Sequence, residues 1–565
     1  MKEFENNYST MTLHEVQTEY EILDDLRCKV TVAAKLKCRK LRKGNVAFSP
    51  ELNSTRIVIK AWSLLLQKAK GSKVSSRLIS RALKKANLPA ITRGSTQEEI
   101  DNQLKEAYKA YYVIKGEASN LRNTALDNLA AALAEKGNRE QSKILEDLRR
   151  REAQRVTAKK LRYLRGKLRM GSTTVVTITN ANGEKVELTN KRDIEAAILA
   201  SNQSKFSQSF HTPFYQSPLR ESFGFKGLST SAQSVLAGVY DPPDELSSYI
   251  VDMFFQWEKL EGIRSLEPIN MSLSVEQYRH FWNKANENVS CYPSALSFST
   301  MKAGSFDPDI SHLDCTLTKI PLERGFAPSR WKHCLDVIIL KKSGVTDLSG
   351  LHTIVLFPVD CNYAFKHVGR TMMKTAEQAN ALAPEQYGSR KRHRSINLAV
   401  SKALTFDILR QLKRPGAVCS NDAKSCYDLI GHTPASLSMQ RVGVPKNVVN
   451  CLFTTLQEAV HQVRTGYGDS VATYGGELWL VPIHGIGQGN GAGPAIWAVV
   501  SSPLLNALRA KGFGCEIVCP LSNSFVKFVG YAFVDDTDII RLPCLILHRM
   551  PLHCYNKHWI HGNIV

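Results

Sequence analysis

Hydrophobic and polar positions change their period twice along this chain. Up to about residue 170 the apolar residues recur at helical spacing. Leu161, Leu164 and Leu168 fall one turn apart, and 125–133 is dense in Ala and Leu, both strong helix formers. The period then drops to two. Val175, Val176 and Ile178, then Asn182-Gly183, then Val186 and Leu188 predict a hairpin around an Asn-Gly turn. Residues from about 200 to 245 are rich in Ser, Gln, Gly and Pro and read as a linker. From about 246 short apolar runs alternate with helical patterns. Strands are expected at 337–340, 354–357, 418–419, 478–481 and 525–529, and helices at 395–412 and 495–508. The sum is an α/β (α+β) chain behind a mainly helical region, without internal repeats or low-complexity tracts.

Charge sharpens this. The 565 residues suffice for two to four domains, and they carry a net charge of +22. So basic a chain favours a polyanionic partner, nucleic acid first, with a membrane surface or plain solubility as the alternatives. The charge concentrates at Lys143, Arg149, Arg150, Arg151, Arg155, Lys159, Lys160, Arg162, Arg165 and Lys167, with Tyr163 interleaved. These outnumber Glu140, Glu146, Asp147 and Glu152. Such a helix either tracks phosphates or is a solvated face, and the overall charge favours the first. The 13 cysteines contain no C-x-x-C pair, which suits reduced thiols and an intracellular place, in nucleus or cytoplasm. There is no secretion signal at the N-terminus and no apolar run of the roughly 20 residues that span a bilayer. The best candidate, 495–508, is short and contains Ser501, Ser502 and Asn506.

Candidate chemistry lies late in the chain. Phe533-Val534-Asp535-Asp536 interrupts an apolar run (Phe525, Val526, Phe528, Val529, Tyr531) that resumes at Ile539 and Ile540. That reads as strand, tight turn, strand, with acids on the turn. Acids there are either solvated turn residues or ligands of a divalent cation. A second acid, Asp422, ends the strand at 418–419, with Tyr427 five residues on and Asp428 next. Between the two clusters, 483–494 packs five glycines and Gln488 ahead of a helix, so its backbone must approach something closely. A dinucleotide cradle is excluded, because no strand–G-x-G-x-x-G–helix unit with a downstream acid fits.

Taken in order, these segments resemble the reverse transcriptase of non-LTR (LINE-like) retrotransposons. Asp422 to Asp428 resembles its first palm motif, Gly485 to Pro494 the next (G-x-x-Q-G, small residues, Pro), and Phe533 to Asp536 the third, [YF]-x-D-D. Upstream, Pro384-Glu385-Gln386-Tyr387-Gly388-Ser389-Arg390 resembles its E-Q-x-G-F-R segment, with Ser389 in place of Phe. Arg330-Trp331-Lys332 through Lys342 resembles the opening fingers strand.

The resemblance implies a right-hand polymerase fold at 246–540, after a basic helical region at 1–170 and a hairpin with linker at 171–245. It implies nucleotidyl transfer from dNTPs to a DNA or RNA primer on an RNA template. Two Mg²⁺ ions (Mn²⁺ as a substitute) about 3.5–4 Å apart would serve it. Asp422 and Asp535 would bridge them, with Asp536 close by. Tyr427 resembles the gate that excludes a ribose 2′-OH, though alone it would read as a core aromatic. Gln488 and Gly489 resemble the contact to template and nucleotide. Lys341 (or Lys342) resembles the lysine facing the triphosphate, with a solvated lysine as its bland counterpart. Asp428 and Asp538 are expected to be structural or solvated, without a catalytic role.

Two features depart from the family. His352 stands where Arg is usual; Arg clamps a triphosphate bidentately, and a neutral imidazole does so more weakly. The 541–565 tail, with His548, His553, Cys554, His558 and His561, resembles nothing in the family. The expected chain is therefore truncated after the third motif, without a complete thumb. A zinc site from Cys554, His558 and His561 matches no standard spacing. The alternative function is a catalytically dead, nucleic-acid-binding remnant. A viral RNA-dependent RNA polymerase is disfavoured by Gln488-Gly489 and Tyr427.

Overall fold

The computed structural model describes residues 2–541 except 38–48, 73, 90–93, 136–139, 165–172, 181, 265–267, 342–343, 424, 477–481 and 519–521. Helices dominate and the sheets are small, an α+β architecture. The described residues of 38–169 form one compact unit, those of 1–37 and 170–565 another.

The 38–169 unit holds helices Pro50–Ala69, Ser76–Ala86, Gln97–Gly116, Ala118–Ala134 and Gln141–Leu164. Local chemistry sets their starts. The Ser49 hydroxyl accepts the Leu52 N–H at 3.3 Å ahead of Pro50, and Thr96 with Glu99 closes a capping box. Trp62, Leu65, Ile79, Leu83 and Ile100 form the core between the first three. On the last helix, Arg150 pairs with Asp147, and Arg149 lies 3.8 Å from Asp127, both at the surface where such pairs stabilise little. Arg165 and Lys167 lie outside the described residues, as do the side chains of Arg155, Lys159, Lys160, Arg162 and Tyr163.

In the other unit the strands are β1 (Val176–Thr179), β2 (Lys185–Leu188), β3 (His333–Leu340), β4 (Leu351–Leu356), β5 (Ala417–Asp422), β6 (Val460–Thr465), β7 (Gly468–Gly475), β8 (Cys515–Val518), β9 (Phe525–Phe528), β10 (Gly530–Phe533) and β11 (Asp536–Arg541). The first two form the expected hairpin, with Gly183 at φ +82° in its turn. A four-stranded sheet runs β4-β3-β6-β7, with only β3 and β6 parallel. A three-stranded antiparallel sheet runs β10-β11-β5. The strand expected at 478–481 and the tail's histidines and cysteines lie outside the described residues.

Helices Val359–Gln378, Lys446–Gln457 and Gly493–Ala510 supply the main core. On the first, Cys361, Ala364, Phe365, Val368, Met372 and Ala376 recur each turn, so one face is wholly apolar. Gly369 lets the helices meet closely: a Cβ there would lie 3.0 Å from Ala492 Cα.

Two sequence expectations are corrected. Residues 200–245 are not an open linker. Helix Lys191–Phe206 runs into them, followed by short helices at Leu219–Phe223 and Thr230–Ala237. Phe214, Tyr215 and Phe223 are buried with Phe254 and Trp257, and full burial of each such ring contributes about 1.5–3 kcal/mol. The Ser- and Gly-rich composition hid these well-spaced aromatics.

Nor do residues 1–170 act as one region, because helix Leu13–Lys37 belongs with the later residues. Its Arg27 is buried and reaches Asp314 at 3.2 Å and Asp360 at 2.9 Å, while Arg330 reaches Asp24 at 2.7 Å and Asp360 at 2.9 Å. Burial pushes the Asp360 carboxyl up, but Arg330 and Arg27 outweigh it and hold it well below the usual carboxylate range. Buried charge is tolerated here only because each ion has several partners.

Candidate functional site

The β10-β11-β5 sheet brings the separated acids together. Its register sets Asp422 directly opposite Asp536, and Phe533 opposite Asp536 from the other side. Directly opposed residues in antiparallel strands project to the same face, so Asp422 and Asp536 are neighbours. Asp535 sits with Val534 in the two-residue loop between β10 and β11. Asp422 and Asp536 are exposed and Asp535 is half-buried. The Ala423 N–H donates to the Asp535 carbonyl at 3.2 Å, tying the turn to the end of β5.

Val534 has φ +60°, a left-handed conformation costing a β-branched residue about 1–3 kcal/mol. Buried neighbours hold it there. Gln386 Oε1 accepts the Val534 N–H at 3.1 Å and the Gly388 N–H at 2.8 Å, while its Nε2 donates to Ser501 Oγ at 3.1 Å. Trp497 Nε1 donates to the Val534 carbonyl. A Cβ on Gly388 would lie 2.4 Å from Val534 N, so glycine is required there. Glu385 and Tyr387 add backbone bonds to Ala532 at 2.9 and 2.8 Å, and Glu385 pairs with Arg509 at 2.5 Å. The Glu385-Gln386 segment thus braces the acidic turn from behind.

Tyr427 lies in the short helix Cys426–Leu429, half-buried, with its ring against Gly493. Burial, with the charges of Asp535 and Asp422 nearby, pushes the Cys426 thiol up to about 12. The glycine-rich loop packs against Tyr427 and β4. Ile486 N–H donates to the Tyr427 carbonyl at 2.7 Å, and Val355 N–H to the Gln488 carbonyl at 2.8 Å. Gly489, at φ +137°, has no room for a side chain: a Cβ would lie 2.1 Å from the Val355 oxygen. Strand β4 is therefore what the loop backbone approaches so closely.

Lys341 is exposed just past β3, and His352 stands opposite Ile339 on β4. Burial lowers the His352 pKa, Lys341 and Lys205 lower it further, and a hydrogen bond with Gln488 opposes them. The ring is therefore mostly neutral near pH 7. Asp538 is occupied by Lys402 and Ser420, and buried Asp428 pairs with Lys205.

Sequence reasoning missed Lys205, the brace by Gln386, and two buried histidines, one on the loop and one behind it. His432 Nε2 donates to the Gly485 carbonyl at 2.8 Å and Nδ1 accepts from Gln457 at 3.0 Å; burial pushes it down to about 4. His484 packs on Tyr215 with ring centroids 4.1 Å apart, and burial pushes it down to about 2.

The donor set (three carboxylates around one turn) suits a hard divalent cation. Among the described residues, however, no three His, Cys, Asp or Glu converge closely enough to hold a metal ion. The sheet supplies a carboxylate pair with a third acid on the adjoining turn. No helix of the described residues is long and apolar enough to cross a membrane.

No family model matches the chain. A stretch of 231 residues is 22% identical to "Retrovirus-related Pol polyprotein from type-1 retrotransposable element R2" of Popillia japonica. The match covers 40% of this chain and 30% of that protein, so the chain spans under a third of its relative's length there. The similarity supports a retrotransposon-related origin.

Proposed function

We propose that this chain is an RNA-directed DNA polymerase of the non-LTR retrotransposon type, extending a DNA or RNA primer with dNTPs on an RNA template. The observation that carries this reading is the placement of Asp422 opposite Asp536, with Asp535 on the turn between β10 and β11. The similarity to a retroelement Pol polyprotein supports it.

In this reading Asp422, Asp535 and Asp536 would hold Mg²⁺, or Mn²⁺ in its place, together with oxygens of the substrate phosphates. Such a pair of ions would supply activation of a primer 3′-oxygen and neutralisation of the leaving pyrophosphate. Tyr427 lies under the nucleotide sugar and excludes a 2′-OH. Gln488 and Gly489 contact the nucleotide and template, with the loop backbone held in place by its close packing on β4. Lys341 and His352 face the triphosphate. The basic helix Gln141–Leu164 tracks nucleic-acid phosphates. Such work belongs in the nucleus or cytoplasm.

Primer extension on poly(rA)/oligo(dT) with Mg²⁺ tests this, with Asp535→Ala as control. Synthesis by the wild type and none by the variant is expected. A second reading, a nucleic-acid-binding remnant without turnover, is favoured by the lack of three converging ligands among the described residues. Salt-sensitive RNA binding without any synthesis decides for it.

A further inference from the structure

Lys205 enters the site from an element with no place among the polymerase motifs. It stands at the end of helix Lys191–Phe206, and its ammonium pairs with Asp428, the residue after Tyr427. Its neighbour Phe206 accepts the His484 N–H at 2.8 Å, tying the helix end to the loop that carries Gln488. Lys341 and His352 reach the same neighbourhood from the far ends of β3 and β4. Three basic side chains from three elements therefore gather beside Gln488.

We propose, building on the polymerase reading, that Lys205 binds the triphosphate of the incoming nucleotide, exchanging Asp428 for a phosphate oxygen. The Asp428 side chain is 6% exposed, whereas Lys205 keeps 24% of its side chain open to solvent. A lysine is a compact charge on a flexible stem with three rotatable donors, suited to moving between two anions. A triphosphate carries more charge than one carboxylate, and the Asp428 carboxyl left behind takes up a proton, which its burial already favours. The opposing account is that Lys205 only neutralises buried Asp428.

Equilibrium binding of mant-dGTP with Mg²⁺, followed by fluorescence on the full chain, separates the two without needing turnover. Lys205→Met should weaken binding about tenfold, the scale of one lost charge-assisted contact, and Lys205→Arg should retain it. Because Lys205→Met strands a buried carboxylate, the double variant Lys205→Met/Asp428→Asn is the deciding protein. Weak nucleotide binding by the folded double variant supports the proposal. Binding restored to wild-type strength overturns it and leaves Lys205 as a counter-ion for Asp428. Primer extension run in parallel keeps the two claims apart. Lys205-dependent binding without synthesis removes the polymerase reading but not the nucleotide contact. Synthesis by the wild type with unchanged binding in both variants removes the contact alone.

Discussion

The acidic and basic sides of the candidate site are built differently. Asp422, Asp535 and Asp536 stand on paired strands and a turn whose strained residue, Val534, is fixed by buried Gln386 and by Trp497. Lys341 and His352 stand at exposed positions on the ends of two strands, and Lys205 comes from a third element. Acids that must meet at fixed separation need a rigid support. Cations that attract a flexible polyphosphate need only be near it, since Coulomb attraction falls slowly with distance. On the polymerase reading, this difference lets an imidazole stand where the resemblance leads one to expect a guanidinium, while the acids keep their order.

The glycine-rich loop between the two sides carries the largest expected effect. His484 on the loop and His432 packed behind it both have folded pKa values below the ordinary 6.5, His432 at about 4 and His484 at about 2, through burial. The unfolded chain therefore binds protons more readily. Stability is fully present above pH 6.5 and is lost as the pH falls toward the folded values. Each histidine should remove on the order of 3 kcal/mol by pH 4. Urea midpoints measured between pH 7 and 4 check this. His484→Phe keeps the ring against Tyr215 without titrating and should flatten the fall; an equally steep fall in that variant rejects the assignment.

Next comes the brace. Gln386→Leu leaves the buried Gly388 N–H and the half-buried Val534 N–H without their acceptor, a penalty of about 1–3 kcal/mol for the buried one and less for the other. If the acids depend on rigid support, kcat should fall on the order of a hundredfold while nucleotide KM changes little. A rise in KM alone, with kcat intact, would place Gln386 on the wrong side of the comparison.

The basic side should respond more mildly. His352→Arg restores a permanent charge beside Lys341 and should lower nucleotide KM by roughly three- to tenfold, leaving kcat nearly unchanged. An unchanged or higher KM would count against a triphosphate at β4.

The acids and the loop were legible in the sequence because local rules mark them. An apolar run broken by two aspartates marks a turn at or beside them, and clustered glycines require close backbone approach. The partners of these segments were not legible. Gln386 is 148 residues from Val534, and nothing in either stretch indicates that one accepts the other's N–H. Lys205 was hidden by the composition of the segment beginning near 200, where serine and glycine outnumber the aromatics that fold it. The place of the N-terminal helix was not legible either. Its Arg27 and Asp24 are buried against Asp314, Arg330 and Asp360. Charge periodicity does not reveal which ions will find partners.

The smallest expected effect concerns Val534 itself. Glycine reaches φ +60° without the steric cost that valine bears, but it adds entropy to the unfolded chain. Strain relief offsets that entropy together with the lost packing of the half-buried valine on the main core, so Val534→Gly should change unfolding free energy by less than about 1 kcal/mol in urea. Its effect on rate is the informative part. If Gln386 and Trp497 alone hold the turn, the glycine variant keeps the wild-type kcat, because both bonds are made to the backbone of residue 534. If the restricted valine torsion also aims Asp535, kcat falls several-fold while stability stays level. Measuring both on one preparation separates support given by neighbours from support built into the turn.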